Sequence, residues 1–105
     1  MAPAVDAVFN KWTAEILWVL IHGGRQRFGE LRGRLPMVTA KVLAQRLRQL
    51  ERDGLVLRTY YAEVPPRVEY EATEPAQALA PVFAALGTWA EENSAQIEAA
   101  RAAYA

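Results

Sequence analysis

Lys41, Gln45, Arg48 and Arg52 follow one another at intervals of four, three and four residues, the spacing that stacks side chains on one face of an α-helix. Such a face is built to read and hold a polyanion. Arginine and glutamine each form paired hydrogen bonds, to guanine and adenine edges respectively, in the major groove of DNA. Lysine and arginine also neutralise phosphates. At about 100° per residue the four side chains fall within a stripe roughly 60° wide, directly opposite Ala40, Leu43, Leu47 and Leu50. Any exposed helix face is polar, so a merely solvated surface is the plain alternative. Against it stands the sign of the charges. None of the four is acidic, and the acids of this helix, Glu51 and Asp53, lie near its C-terminal end.

Arg67 is the second candidate, set just beyond Pro65-Pro66. Prolines cannot donate to a β-ladder and belong at a tip or an exposed edge. A stiff tip that holds one arginine forward suits the narrow minor groove, where the negative potential is deepest. The competing reading, of equal weight, pairs Arg67 with Glu63 or Glu69 inside its own hairpin. Arg25, Arg27, Arg32 and Arg34 have the character of phosphate contacts, which position a protein without specifying a sequence, or of solubilising charges on a short helix. The candidate DNA-binding set is therefore Thr39, Lys41, Ala44, Gln45, Arg48 and Arg52 on the helix, with Pro65, Pro66 and Arg67 on the hairpin.

The distribution of charge supports that orientation. The formal net charge is zero, yet Gly24–Tyr60 holds nine basic residues against three acids, while the chain from Tyr61 onward holds two arginines against seven glutamates. One end of the molecule attracts a polyanion and the other repels it.

Other chemistries find little support. There is no cysteine, which removes disulfide scaffolds, thiolate metal sites and thiol redox sensing together. The single histidine, His22, precedes Gly23-Gly24 and reads as a side chain at a helix C-terminus. No Ser/His/Asp or Cys/His constellation and no Gly-rich phosphate loop occur, so an enzyme is not expected. Glu91-Glu92 and the Glu69/Glu71 pair read as solvated faces, so neither a metal nor a cofactor is expected. The longest apolar run, Ile16–Ile21, is six residues, far short of the ~20 that a membrane helix needs. With no signal peptide visible, the expectation is a cytoplasmic protein, associated with the nucleoid when bound to DNA.

These side chains need elements to position them. At 105 residues the chain reads as one domain, 1–105. A helix is expected over Trp12–His22, apolar all round and so central, ended by Gly23-Gly24. Phe28, Leu31 and Leu35 suggest a short second helix that stops before Pro36. Thr39 is a good N-cap for a third, running to Asp53 with Gly54 as its stop. Residues 28–53 thus form a helix-turn-helix. Two strands, Leu55–Tyr61 and Arg67–Thr73, make a hairpin over 55–73, in which Arg58 is expected to pair across to Glu69 or Glu71. Residues 75–104 read as helices, with Pro75 in a first turn and Pro81 starting or kinking a long one. Val82, Leu86, Trp89, Asn93 and Ile97 form a stripe on that helix, too long to bury on so small a body and suited to a second copy of the chain.

The stretches KWTAEILWVL, RFGELRGRLP, KVLAQRLRQLERDGLVLRTYYAEVPPRVEYEAT and ALAPVFAALGTWAEE are together similar to the HxlR family of bacterial, MarR-like winged-helix transcription regulators, over roughly Asn10–Asn93. The order of QRLRQLERDGLV and then VPPRVEY, with Lys11-Trp12 upstream and Pro81 and Trp89 downstream, is the most specific part. The resemblance implies a mainly α fold with a small β-hairpin wing (α+β), a winged helix-turn-helix. It also implies a homodimer joined by the first and last helices, with 75–104 as dimerisation helices. Thr39–Asp53 would enter the major groove and Tyr61–Arg67 would be the wing. Members commonly regulate a neighbouring operon, often in response to aromatic or reactive small molecules, so a sequence-specific regulator acting on an inverted-repeat operator is implied. Two departures matter. Many members carry a cysteine just ahead of the position of Lys11-Trp12, and several sense electrophiles or oxidants through it, which this chain cannot do. Members often have glycine where Met37 stands, so this turn is expected to adopt another geometry.

Two rival functions remain. Trp12, Trp18, Phe83 and Trp89 would lie near the dimer interface, where an aromatic-lined effector pocket competes with simple packing; a ligand-binding regulator with weak DNA specificity is then the outcome. A winged helix that binds protein instead of DNA is the other.

Overall fold

Ile16, Leu17, Leu20, Leu31, Leu43, Leu47 and Leu50 are each 1% exposed or less and belong to one apolar cluster. They come from three helices, and the reading of the polar face depends on how those helices are made. The computed structural model describes residues 3–104. Its elements are α1 (Pro3–Phe9), α2 (Thr13–Gly23), β1 (Gln26–Arg27), α3 (Phe28–Arg34), α4 (Ala40–Arg52), β2 (Val56–Tyr61), β3 (Arg67–Ala72), α5 (Glu74–Gln77) and α6 (Ala80–Ala103). The fold is mainly helical with a small antiparallel sheet.

The ends of α4 are set by two local devices. At the start, Thr39 adopts an extended conformation and its hydroxyl accepts from the Val42 N–H at 3.2 Å, which satisfies one of the orphan donors of the first turn. At the end, Gly54 takes φ 76° and Leu55 N–H donates to the Leu50 carbonyl at 2.9 Å. That left-handed conformation is open to glycine and strained for most other residues. Between these stops Leu43, Leu47 and Leu50 are buried, and Lys41, Gln45, Arg48 and Arg52 are exposed. The helix-turn-helix expected over 28–53 is α3 and α4. Among the described residues positive φ occurs only at Trp12, Gly24 and Gly54, so the turn carrying Met37 does not require glycine.

Two elements were not expected. One is α1. The other is β1, two residues that join the hairpin as a third strand, in the order β1-β3-β2. Gln26 within it is 2% exposed, and its Nε2 donates to the carbonyls of Val19 at 3.0 Å and Gly24 at 3.2 Å. The buried amide thereby ties the end of α2 to the sheet.

The pairing of β2 with β3 corrects one expectation. Tyr61 stands opposite Arg67, and the ladder continues through Thr59 with Glu69, Arg58 with Tyr70, Leu57 with Glu71 and Val56 with Ala72. Directly paired residues share a face of the sheet. Arg58 therefore lies on the face of Val56, Tyr70 and Ala72, and Glu69 and Glu71 lie on the other. The cross-strand ion pair assigned to Arg58 is excluded by a single step of register.

Pro75 and Pro81 each stand in a first turn, of α5 and α6 respectively, where a missing N–H costs nothing. α6 is one helix of 24 residues, about 36 Å long. Phe83 is its buried residue, while Val82, Leu86 and Trp89 are half-exposed. The helix accounts for the elongation of the molecule, 56 × 27 × 22 Å.

Leu43→Ala should lower the free energy of unfolding by about 2–5 kcal/mol, the cost of removing a fully buried leucine, measured by urea denaturation. A change under ~1 kcal/mol would mean that α4 does not lean on this seam.

Candidate nucleic-acid interface

The outward face of α4 is a continuous polar surface. Gln45, Arg46, Arg48, Gln49 and Arg52 border one shallow depression on it, and Lys41 is exposed one turn earlier. Among the described residues no carboxylate lies within ion-pair distance of Lys41, Arg48 or Arg52; the ion pairs all belong to Arg25 and Arg67. Arg46 differs from its neighbours. Its Nε donates to the Lys11 carbonyl at 3.0 Å, so it braces α4 against the segment that precedes α2. Thr39 is spent on capping, and Ala44 sits half-buried at the edge of the stripe.

The wing is organised around Tyr61. Arg25 Nη1 donates to the Tyr61 hydroxyl at 2.6 Å, and its Nη2 donates to Glu71 Oε1 at 2.9 Å, with Glu69 3.7 Å away. The hydrogen bond and charge of Glu71, helped by Tyr61 and Glu69, hold the Arg25 pKa above its ordinary value. The Arg67 guanidinium stacks over the same ring, 4.0 Å from the Tyr61 centroid, a cation–π arrangement. Arg67 also lies 3.4 Å from Glu63 Oε2 and, through Nε, 3.2 Å from Glu69 Oε2. The Nε–H does not point along that contact, so the attraction is ionic without a directed hydrogen bond. In the free protein the wing arginine is thus held by both glutamates named from the sequence. Pro65 and Pro66 are exposed at the tip beside it.

The four arginines grouped as phosphate contacts separate. Arg25 is matched by Glu71. Arg27 and Arg32 are exposed, with the Arg27 backbone N–H donating to Glu30 Oε1 at 2.9 Å to begin α3. Arg34 lies elsewhere. It packs over Gly23, where a Cβ would collide with its guanidinium and with the Gln26 amide, and it borders a cleft between α2 and α6.

That cleft has a volume of about 440 Å³ and is lined by Glu15, Trp18, Arg34, Phe83, Leu86 and Gly87 among others. It divides the aromatic quartet. Trp18 and Phe83 line the cleft, whereas Trp12 and Trp89 do not. Trp12 packs part-buried against the core at φ 75°, and Phe83 belongs to that core. Trp18 and Trp89 are 50% and 53% exposed. His22 closes the end of α2, its Nδ1 donating to the Trp18 carbonyl at 2.9 Å.

Tyr61 and Arg58 were not singled out as candidates. The signal for Tyr61 was available: it and Arg67 flank the five-residue tip symmetrically, so pairing across the tip places ring and guanidinium together. No group of three or more metal-ligating side chains gathers among the described residues, and no helix there is long and apolar enough to cross a membrane.

Comparison with known proteins agrees with this geometry. A family model described as HxlR-like helix-turn-helix matches residues 7–98. The HTH-type transcriptional regulator YvaP of Bacillus subtilis is 40% identical over 89 residues, covering 85% of this chain and 82% of its own. The crystal structure of YtcD, a B. subtilis regulator, superposes with a TM-score of 0.82 at 36% identity, covering 89% of this chain and 97% of that one. The redox regulator HypR in its reduced form gives a TM-score of 0.83 at 36% identity, covering 91% and 94%. Winged-helix regulators of the MarR family are also among the structural neighbours. HypR is a redox regulator, whereas this chain contains no cysteine.

Tyr61→Leu removes the ring beneath Arg67 and the hydroxyl that Arg25 uses. Backbone order parameters at 62–66, measured by ¹⁵N relaxation, should fall toward the flexible range, below ~0.6; an unchanged tip would show that the two arginines do not depend on this ring.

Proposed function

Because the chain belongs to the family of HxlR-like helix-turn-helix transcription regulators, we propose that it binds a specific double-stranded DNA site as a homodimer. The observation that carries this reading is the outward face of α4, where Lys41, Gln45, Arg48 and Arg52 stand exposed without an acidic partner among the described residues. In this reading residues 1–105 act as one winged-helix unit in the cytoplasm, on the nucleoid. α4 lies in the major groove, Arg27 and Arg32 touch phosphates, and the tip with Pro65, Pro66 and Arg67 meets the flanking minor groove. For Arg67 to do so, a DNA phosphate or base edge must replace Glu63 and Glu69 as its partner.

The dimer is supported by α6. Val82, Leu86 and Trp89, with Trp18 of α2, are all half-exposed, and contiguous apolar surface of this kind marks an interaction site. Two copies joined there favour an inverted repeat whose half-sites lie about one helical turn, ~34–36 Å, apart. A small-molecule effector that releases the DNA would enter the cleft lined by Trp18, Phe83 and Leu86, since there is no thiol to receive an oxidative signal.

Binding should weaken steeply with salt, log affinity falling against log salt by about 0.9 for each phosphate neutralised. Gln45→Ala should relax preference at one base pair by ~1–3 kcal/mol, with a smaller effect on random DNA. A wild-type protein that retards no duplex, or binds with a shallow salt slope, points instead to a winged helix that recognises protein.

Trp89→Glu should convert the dimer to a monomer at micromolar concentration in size-exclusion chromatography with light scattering, and should weaken binding to the inverted repeat. If the wild type already runs as a monomer, the half-site geometry is wrong.

A further inference from the structure

The register of the sheet turns Arg58 away from the glutamates and toward the recognition helix. There it borders a cleft of about 400 Å³ between α4 and the sheet, lined by Ala44, Arg48, Glu51, Arg58 and Tyr70. We propose that Arg58 and Arg48 together hold a backbone phosphate of bound double-stranded DNA in this cleft. The inference rests on the DNA-binding reading and adds to it a contact between helix and wing, from a residue that the helix face and the wing tip do not include.

Three observations carry it. The first is the absence of an internal partner. Arg25 and Arg67 are matched by Glu63, Glu69 and Glu71, yet among the described residues no carboxylate lies within 4.0 Å of a nitrogen of Arg58 or Arg48. The second is the concentration of like charge. Two guanidiniums share one small cleft in which Glu51 is the lone acid, so an anion entering it relieves a repulsion that the free protein carries. The third is the donor set. Each guanidinium can grip two phosphate oxygens, and Tyr70 lines the same cleft, its phenol able to donate a further hydrogen bond. Nothing in the packing asks for arginine at this position. The side chain is exposed, unlike Val56 and Ala72 on the same face of the sheet.

Position favours the DNA backbone over a small phosphorylated ligand. The cleft opens where the exposed stripe of α4 approaches β2, between the two elements proposed to straddle a phosphate strand. A phosphate gripped there would also fix how deeply α4 sits, because Arg48 would be shared between the backbone and the groove.

The test is a salt series with wild type, Arg58→Ala, Arg58→Lys and Arg101→Ala on both an operator and a random duplex, after confirming unchanged thermal unfolding and an unchanged mass in solution for each variant. Arg101 lies in the last turn of α6 and controls for net charge. The expected result is that Arg58→Ala reduces the magnitude of the salt slope by about 1, the change for one lost phosphate contact, with the same fractional loss on both duplexes. Arg58→Lys should recover most of the slope, and Arg101→Ala should leave it at the wild-type value. A wild-type slope in Arg58→Ala overturns the inference while leaving the DNA reading intact; no salt-dependent binding in the wild type overturns the DNA reading itself. An equal loss in Arg101→Ala reduces the effect to bulk charge and also overturns it. Calorimetric titration of the free protein with inorganic phosphate and pyrophosphate separates the two sources. Saturable sub-millimolar binding that Arg58→Ala abolishes, together with an unaltered DNA slope, would assign the cleft to a small phosphorylated ligand instead.

Discussion

The seam of Leu43, Leu47 and Leu50 fixes the rotation of α4 about its own axis, and through that rotation the direction of every polar side chain on the helix. Each leucine is 1% exposed or less and contributes about 1.5–3 kcal/mol by leaving water. Turning the helix by one residue, about 100°, would expose the leucines and drive Arg48 or Lys41 into the cluster with Ile16, Leu17, Leu20 and Leu31. No solvated charge tolerates such a site unpaired. The apolar seam is also narrow, so more than half of the circumference is left free for polar groups. Capping by Thr39 and the left-handed Gly54 then decide where that surface begins and ends.

Against this fixed frame the arginines divide by whether the fold has already matched them. Arg25 bonds the Tyr61 hydroxyl, Arg67 stacks on its ring, and the two are matched by Glu63, Glu69 and Glu71. Arg46 is spent on the Lys11 carbonyl. Lys41, Arg48, Arg52 and Arg58 are not matched among the described residues. The zero net charge of the chain therefore conceals a local contrast: Glu63, Glu69 and Glu71 are engaged about the wing, while the surface shared by α4 and β2 carries several cations and, in its cleft, the single acid Glu51. Compensation on the wing serves its shape. Its absence on α4 leaves room for an outside anion.

α4 was legible in the sequence because its signals agree. Capping residue, apolar interval, polar stripe and terminal glycine all name the same helix, and consistency across levels of this kind is what specifies a structure. The hairpin was legible in extent but not in facing. Strand boundaries follow from β-branched and aromatic residues, whereas the side on which Arg58 emerges depends on which residues meet across the tip. Tyr61 meeting Arg67 sets odd numbers against odd and even against even, and parity of that kind has no signature in composition. α1 and β1 escaped for different reasons. Seven residues with one charge give little periodicity, and a two-residue strand gives none; Gln26 and Arg27 are a strand only because β3 lies beside them. The aromatic quartet shows a limit of another sort. Residue type groups Trp12, Trp18, Phe83 and Trp89, but burial depends on neighbours far along the chain.

β1 passes into α3 without a single intervening residue, Arg27 ending the strand and Phe28 opening the helix. Its partner strand β3 is tethered to the preceding loop by Arg25 and Glu71, and Gln26 fastens the same junction to the end of α2. No slack is left between the part that would grip a groove and the part that would brace against the flank. Bending the chain at this junction would break the Gln26 contact to α2 and the Arg25 contact to β3 together. The junction is a splice and not a hinge: the strand and the helix share one piece of backbone, and neither can be re-aimed without carrying the other along.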